Sequence, residues 1–116
     1  MVRRSQDITY SYDPKSYTPV EVDDKVGGAV IAELDEQRIS ITLQNIGVYP
    51  CLIALGDTPS GTNFNLILCA DTVANAGKGG SVTLEGYQGD IHGITLEGTT
   101  SIAVLEQISY IVEEEV

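Results

Sequence analysis

The sequence contains no tryptophan, one phenylalanine, one histidine, two cysteines and only six basic residues against seventeen acidic ones. Each shortage removes a class of function. A nucleic-acid or anionic-membrane surface needs clustered lysine and arginine, and a chain of net charge -11 does not supply it. The reading is therefore no nucleic-acid partner and no membrane partner. An acidic balance of this size favours solubility at high local concentration and sets copies repelling one another. Any interface between copies must screen or exclude carboxylates. A Ser-His-Asp or Cys-His site needs a positioned base. The one candidate, His92, sits in a predicted strand beside Gly93, and neither Cys51 nor Cys69 falls on a loop or helix N-terminus that would activate a thiol. Zinc takes about four N or S ligands, and two cysteines and one histidine without ligand spacing do not meet that. The absence of tryptophan removes the aromatic platform expected beside the paired carboxylates of a glycoside hydrolase. Asp57, Asp71, Asp90 and the C-terminal glutamates are oxygen donors that leave calcium open, although no D-x-[DN]-x-[DN]-G loop is present. The chain reads as a non-enzyme with no catalytic residues, no metal ligands and no cofactor. No apolar run has the length of a membrane span, and Met-Val-Arg-Arg-Ser is not followed by the apolar core of a signal peptide. The reading is synthesis in a cytoplasm, with Cys51 and Cys69 as buried free thiols and a bridge between them as the alternative if their strands pair or face each other.

What is present points to β-structure. The chain has 116 residues, the length of one domain, with twelve glycines and apolar residues drawn mostly from isoleucine, valine, leucine and alanine. Its organising stretch is 38–56, RISITLQNIGVYPCLIALG. Ile39, Ile41 and Leu43 alternate with Ser40, Thr42 and Gln44, the period of a half-buried strand. Asn45-Ile46-Gly47 interrupts the run with residues that tolerate a short hairpin loop. Cys51–Leu55 is apolar at every position, so the stretch reads as a hairpin whose second strand lies inside the sheet stack. Pro50 needs a bulge or an outward-facing nitrogen. Further strands are expected at Gly28–Leu34, Phe64–Ala70, Ser81–Leu84, Ile91–Leu96 and Ser101–Val112, with turns at Gly56-Asp57, Glu85–Asp90 and Glu97–Thr99. Turn signals every 8–12 residues have the spacing of a sandwich or barrel. The loop DTVANAGKGG at 71–80 carries Lys78 but lacks the order of a phosphate-binding loop.

Residues 1–27 differ from the rest. Their apolar residues are scattered, and Pro14 and Pro19 exclude a helix through that stretch. Too little surface is available to offset the ordering entropy of the segment alone. It reads either as a disordered tail or as an extended N-terminal arm that orders on a partner, the reading adopted, with a short strand allowed near Tyr17–Val22. Tyr10, Tyr12 and Tyr17 would anchor it, and Arg3 and Arg4 would meet acidic surface. Residues 28–116 form the β-sandwich domain in this reading.

Three pieces of the chain resemble the short β-sandwich virion proteins of tailed bacteriophages. They are ITLQNIGVYPCLIALG; SGTNFNLILCADTVANAGKGGSVTL, with its small-residue loop ending in Gly-Gly-Ser; and GYQGDIHGITLEGTTSIAVLE. In such proteins the first strand is often followed by N-x-G/T-x-x-P, and Asn45 and Pro50 hold those places. The resemblance covers about residues 39–110. It implies an antiparallel, jelly-roll-like sandwich acting as a capsid decoration or cement protein. It also implies homotrimers on the capsid surface, with the major capsid protein as partner. The alternatives are a phage tail or fibre component, or a small carbohydrate- or calcium-binding module for host attachment.

Overall fold

Side-chain alternation and glycine-bearing turns divide the chain into nine strands. The computed structural model describes the backbone of residues 6–16, 18–71 and 79–115, and the side chains of 18–71 and 79–109. Among these, the strands are β1 (Gln6–Ser16), β2 (Val20–Val22), β3 (Ala29–Ala32), β4 (Arg38–Asn45), β5 (Cys51–Leu55), β6 (Leu66–Leu68), β7 (Ser81–Glu85), β8 (Ile91–Ile94) and β9 (Thr100–Glu115). No helix occurs among the described residues, and none is long and apolar enough to cross a membrane.

The strands make two antiparallel sheets, so the chain is an all-β sandwich as its sequence predicts. In the first sheet β9 is central, with β4 and then β7 on one side and β1 and β2 end to end on the other. The second sheet has the order β3-β8-β5-β6. Ile41, Leu43, Ile102 and Val104 of the first sheet meet Ile31, Cys51, Ile53, Leu68 and Ile91 of the second in one buried core. Gly56 and Gly98 turn the chain at φ 73° and 69°, a backbone conformation that side chains disfavour.

The expected hairpin at 38–56 is not formed. β4 pairs with β7 and β9, and β5 pairs with β6 and β8, so residues 46–50 arch from one sheet to the other. Gly47 is needed for close approach and not for a hairpin φ: a Cβ there would lie 2.0 Å from Thr100 Oγ1. Pro50 falls in this arch, outside both ladders. The interior position of β5 is as expected, with Cys51, Leu52, Ile53 and Ala54 all buried. Its outward residues Leu52 and Ala54 are buried as well, and the β5–β6 loop packs back against this sheet. Pro59 of that loop is fully buried beside Gly28 and the Gly93 carbonyl, and Asn65 Oδ1 accepts from Leu55 N at 2.8 Å. The strand expected over Phe64–Ala70 is accordingly shorter, and Phe64 lies in the loop.

The N-terminal segment contributes two strands. Val20–Val22 pairs with Thr100–Ile102, and Val22 is fully buried in the core, so the sandwich begins before residue 28. Gln6–Ser16 pairs with Leu105–Glu115, and β9 is its one substantial neighbour among the described strands. Apolar content alone missed this strand, because a backbone ladder with a partner strand leaves no mark in side-chain composition. β4 leaves β9 at Ile108. Ser109 N still donates to the Gln37 carbonyl at 2.8 Å, and from Tyr110 to Glu115 β9 pairs only with Ser11 to Gln6, making a two-stranded ribbon of roughly 20 Å in a molecule measuring 66 × 30 × 19 Å.

These two strands should respond differently to deletion. Removing residues 1–16 takes away β1 alone and should leave a folded sandwich melting within a few degrees of the full chain. Val22→Ala should cost roughly 2 kcal/mol through lost burial and a residual cavity. Thermal melts followed by circular dichroism test both. An unfolded 1–16 deletion would mean that β1 belongs to the core.

Candidate functional site

The one fully buried charged side chain among the described residues is one that strand alternation would turn toward solvent. β4 and β9 hold a single register from Asn45 opposite Ile102 to Ser40 opposite Gln107, and then Arg38 stands opposite Ile108. Ile39 is therefore an extra residue, and this β-bulge reverses the parity of Arg38 and turns it inward. Its side chain has no exposed surface. Burial of a guanidinium is tolerated only when charge and donors are both answered, and here they are. Nε donates to Glu106 Oε2 at 2.7 Å, Nη1 to the carbonyls of Gly89 at 2.9 Å and Tyr87 at 3.3 Å, and Nη2 to the Glu33 carbonyl. One group thus ties β4 and β9 to the β7–β8 turn and to the segment after β3.

The surroundings reinforce it. Gln88 Nε2 donates to the carbonyls of Glu36 and Arg38, and Asp90 Oδ1 accepts from Leu34 N at 2.7 Å. Tyr87 OH donates to the Asp90 carbonyl at 2.8 Å, and its pKa is raised, first by desolvation and then by the Asp90 charge. Above Glu106 lies an open cavity of about 300 Å³ lined by Ile31, Ala32, Glu33, Leu34, Asp35 and Glu106. Its three acidic residues do not converge. Among the described residues no group of three or more His, Cys, Asp or Glu is placed to hold a metal ion. Asp57 is committed elsewhere, accepting from Asn63 Nδ2 and Thr58 N, and these bonds hold its carboxyl below the usual carboxylate range.

The opposite end of β4 carries a second polar clamp. Asn45 is fully buried, and its amide makes four hydrogen bonds, its full complement. Nδ2 donates to the Tyr49 carbonyl at 2.8 Å and the Leu68 carbonyl at 3.1 Å, and Oδ1 accepts from Gly47 N at 3.0 Å and Thr100 Oγ1 at 2.7 Å. It fastens both sheets to the arch. Next to it Val48 and Leu96 are exposed, and a cavity of about 160 Å³ opens between Tyr49, Pro50, Leu96 and Glu97.

The groups considered for nucleophilic chemistry are apart. Cys51 faces the core, and burial pushes its thiol up to about 12. His92 follows the opposite parity on β8, in register with Val30 and Ala54. Cys69 is exposed, and both thiols are free. Of the arm residues, the backbones of Tyr10 and Tyr12 are in β1 opposite Ile111 and Ser109. Their side chains, together with Arg3, Arg4, Tyr17 and Lys78, lie outside the described residues. Neither Arg38 nor Glu106 is singled out by the sequence reading. The available signal was a single arginine heading an alternating strand and a single acid inside the apolar run Ile102–Ile108.

Three measurements probe this chemistry. Arg38→Met leaves Glu106 buried without a partner and should destabilise the fold by about 3–5 kcal/mol, lowering the melting temperature by on the order of 10–20 °C. Adding Glu106→Leu to that variant should restore some of the loss, and strict additivity of the two substitutions would contradict the coupling. In alkylation experiments Cys69 should react in the native protein and Cys51 only after denaturation. The Cys51 thiol has its pKa raised from 9.0 to about 12, so the folded state keeps a proton that the unfolded state loses. Stability should therefore fall as pH rises from 9 toward 12 and fall less steeply in Cys51→Ala.

Comparison with known proteins adds no relative to this description: no protein-family model, no curated protein and no solved structure matches the chain.

Proposed function

We propose that the chain is a structural virion protein of a tailed bacteriophage, a decoration or cement protein that braces neighbouring major capsid subunits as a homotrimer. The observation that carries the reading is the order of the strands. From β2 to β5, and again from β6 to β9, each strand crosses to the other sheet, giving β2-β9-β4-β7 over β3-β8-β5-β6. We read this as a jelly-roll winding, an architecture that recurs in viral capsid and lectin domains. The inference from fold to role is one of analogy, and the sequence resemblance at 39–110 points the same way. The ribbon of β1 and the distal half of β9 supplies the means. It extends past the sandwich and presents a backbone edge on β1 that no described strand occupies. An edge of that kind can add to a partner's strand or lie along its surface. Individual contacts of this size are weak, and linkage within a trimer multiplies them. Stabilisation of the shell then follows from binding the assembled state and not its free subunits.

Cryo-electron microscopy of virions that carry the chain tests the reading. Density for trimers on the outer shell, with ribbons running toward neighbouring capsid subunits, is the expected result. Copies lacking residues 1–16 should attach on the order of ten-fold more weakly or worse. Density in the tail, or specific binding on a glycan array with an undecorated shell, would transfer the chain to a fibre or attachment role.

A further inference from the structure

The outer face of the first sheet stands out by its lack of charge. Opposite the buried parity of Ile41 and Leu43, three rows cross β7, β4 and β9: Ser81–Gln44–Ala103, Thr83–Thr42–Leu105 and Glu85–Ser40–Gln107. Thr42 and Thr83 are joined on this face through their hydroxyls at 2.8 Å. Leu105 is 40% exposed at its middle, and Ile46, 41% exposed, continues it beside Ser101. Among the described side chains that share this parity on β2, β4, β7 and β9, the charges are Glu21 and Glu85, both on edge strands. A solvated sheet face ordinarily alternates polar and charged residues outward, and this chain has seventeen acidic residues to place. Among the described side chains of this face, charge is confined to those two edge positions.

We propose that this face is where copies of the chain meet. At a net charge of -11, a second copy is the partner that acidic surface repels most, whereas a basic partner would be drawn to that surface and would gain nothing from its absence. Depletion of charge at the centre with polar groups at the rim is the composition of a protein interface core. Three copies that turn this face toward one axis bring it only against itself, with the glutamates at the outside. Leu105 and Ile46 supply apolar area there, and the hydroxyls and amides of Thr42, Thr83 and Gln44 can bond across. The assignment rests on the homotrimer component of the function proposed above and is independent of the virion component.

Sedimentation equilibrium of the full chain at micromolar concentration, in low and high salt, is the test. The expected result is a trimer that does not loosen with salt, because no ion pair holds it. Ala103→Glu and Leu105→Glu should each weaken association on the order of 100-fold, since like charges are then brought together, while their melting in the dissociated state stays near that of the parent. Val26→Glu, at a fully exposed turn position, should leave association unchanged. A trimer that persists in both face variants would overturn the assignment of the face and leave the trimer standing. A parent chain that is monomeric throughout would overturn both.

Discussion

One guanidinium holds one end of this sandwich together. Arg38 reaches the core only because Ile39 is an extra residue in its ladder, and once inside it must find a charge and several acceptors. It takes them from β9, from the β7–β8 turn and from the chain after β3. Two layers of small aliphatic side chains, with no tryptophan and one phenylalanine, can fill the middle of a sandwich. They leave its open ends short of cover. The buried arginine closes one end and the buried Asn45 closes the other, both from the same strand. Such groups are weak sources of net stability when compared with apolar replacements. Their geometric demands are high, and a fully satisfied polar network fixes which strands lie together.

The sequence made the strands legible and their pairing much less so. Alternation located β4 and β9, an unbroken apolar run located β5, and short apolar stretches between turn signals located β7 and β8, each to within a few residues. The tract Asn45-Ile46-Gly47 has hairpin chemistry, yet Asn45 spends its amide on Leu68 and Thr100, and Gly47 is set by the approach of Thr100. Those partners are more than twenty residues away, so no local pattern announces them. β1 was missed as a strand for a related reason. Its partner lies nearly a chain length away, in a stretch that ends in glutamates.

The candidate site was legible only as exclusions. Both cysteines were expected to be buried, and only Cys51 is, because Cys69 follows the end of the short strand β6 and faces solvent. The pairing of Arg38 with Glu106 depends on a bulge, and a bulge is invisible to a reading that counts in twos. The neutrality of the outer face of the first sheet could have been seen in the letters, since Ser40, Thr42, Gln44, Ser81 and Thr83 are all uncharged. It acquires meaning only when β4, β7 and β9 are known to lie side by side.

The length of β9 has a mechanical consequence. Its first half lies in the middle of the first sheet, bonded on both sides, and its second half is one rail of the ribbon. A pull on the ribbon along its axis is therefore delivered to the centre of the sheet without crossing a joint. There it loads the bonds between β9 and β4 together, in shear, where a strand at the sheet's margin would let them break in succession. The ribbon is thus a handle whose root is the best-supported strand of the fold.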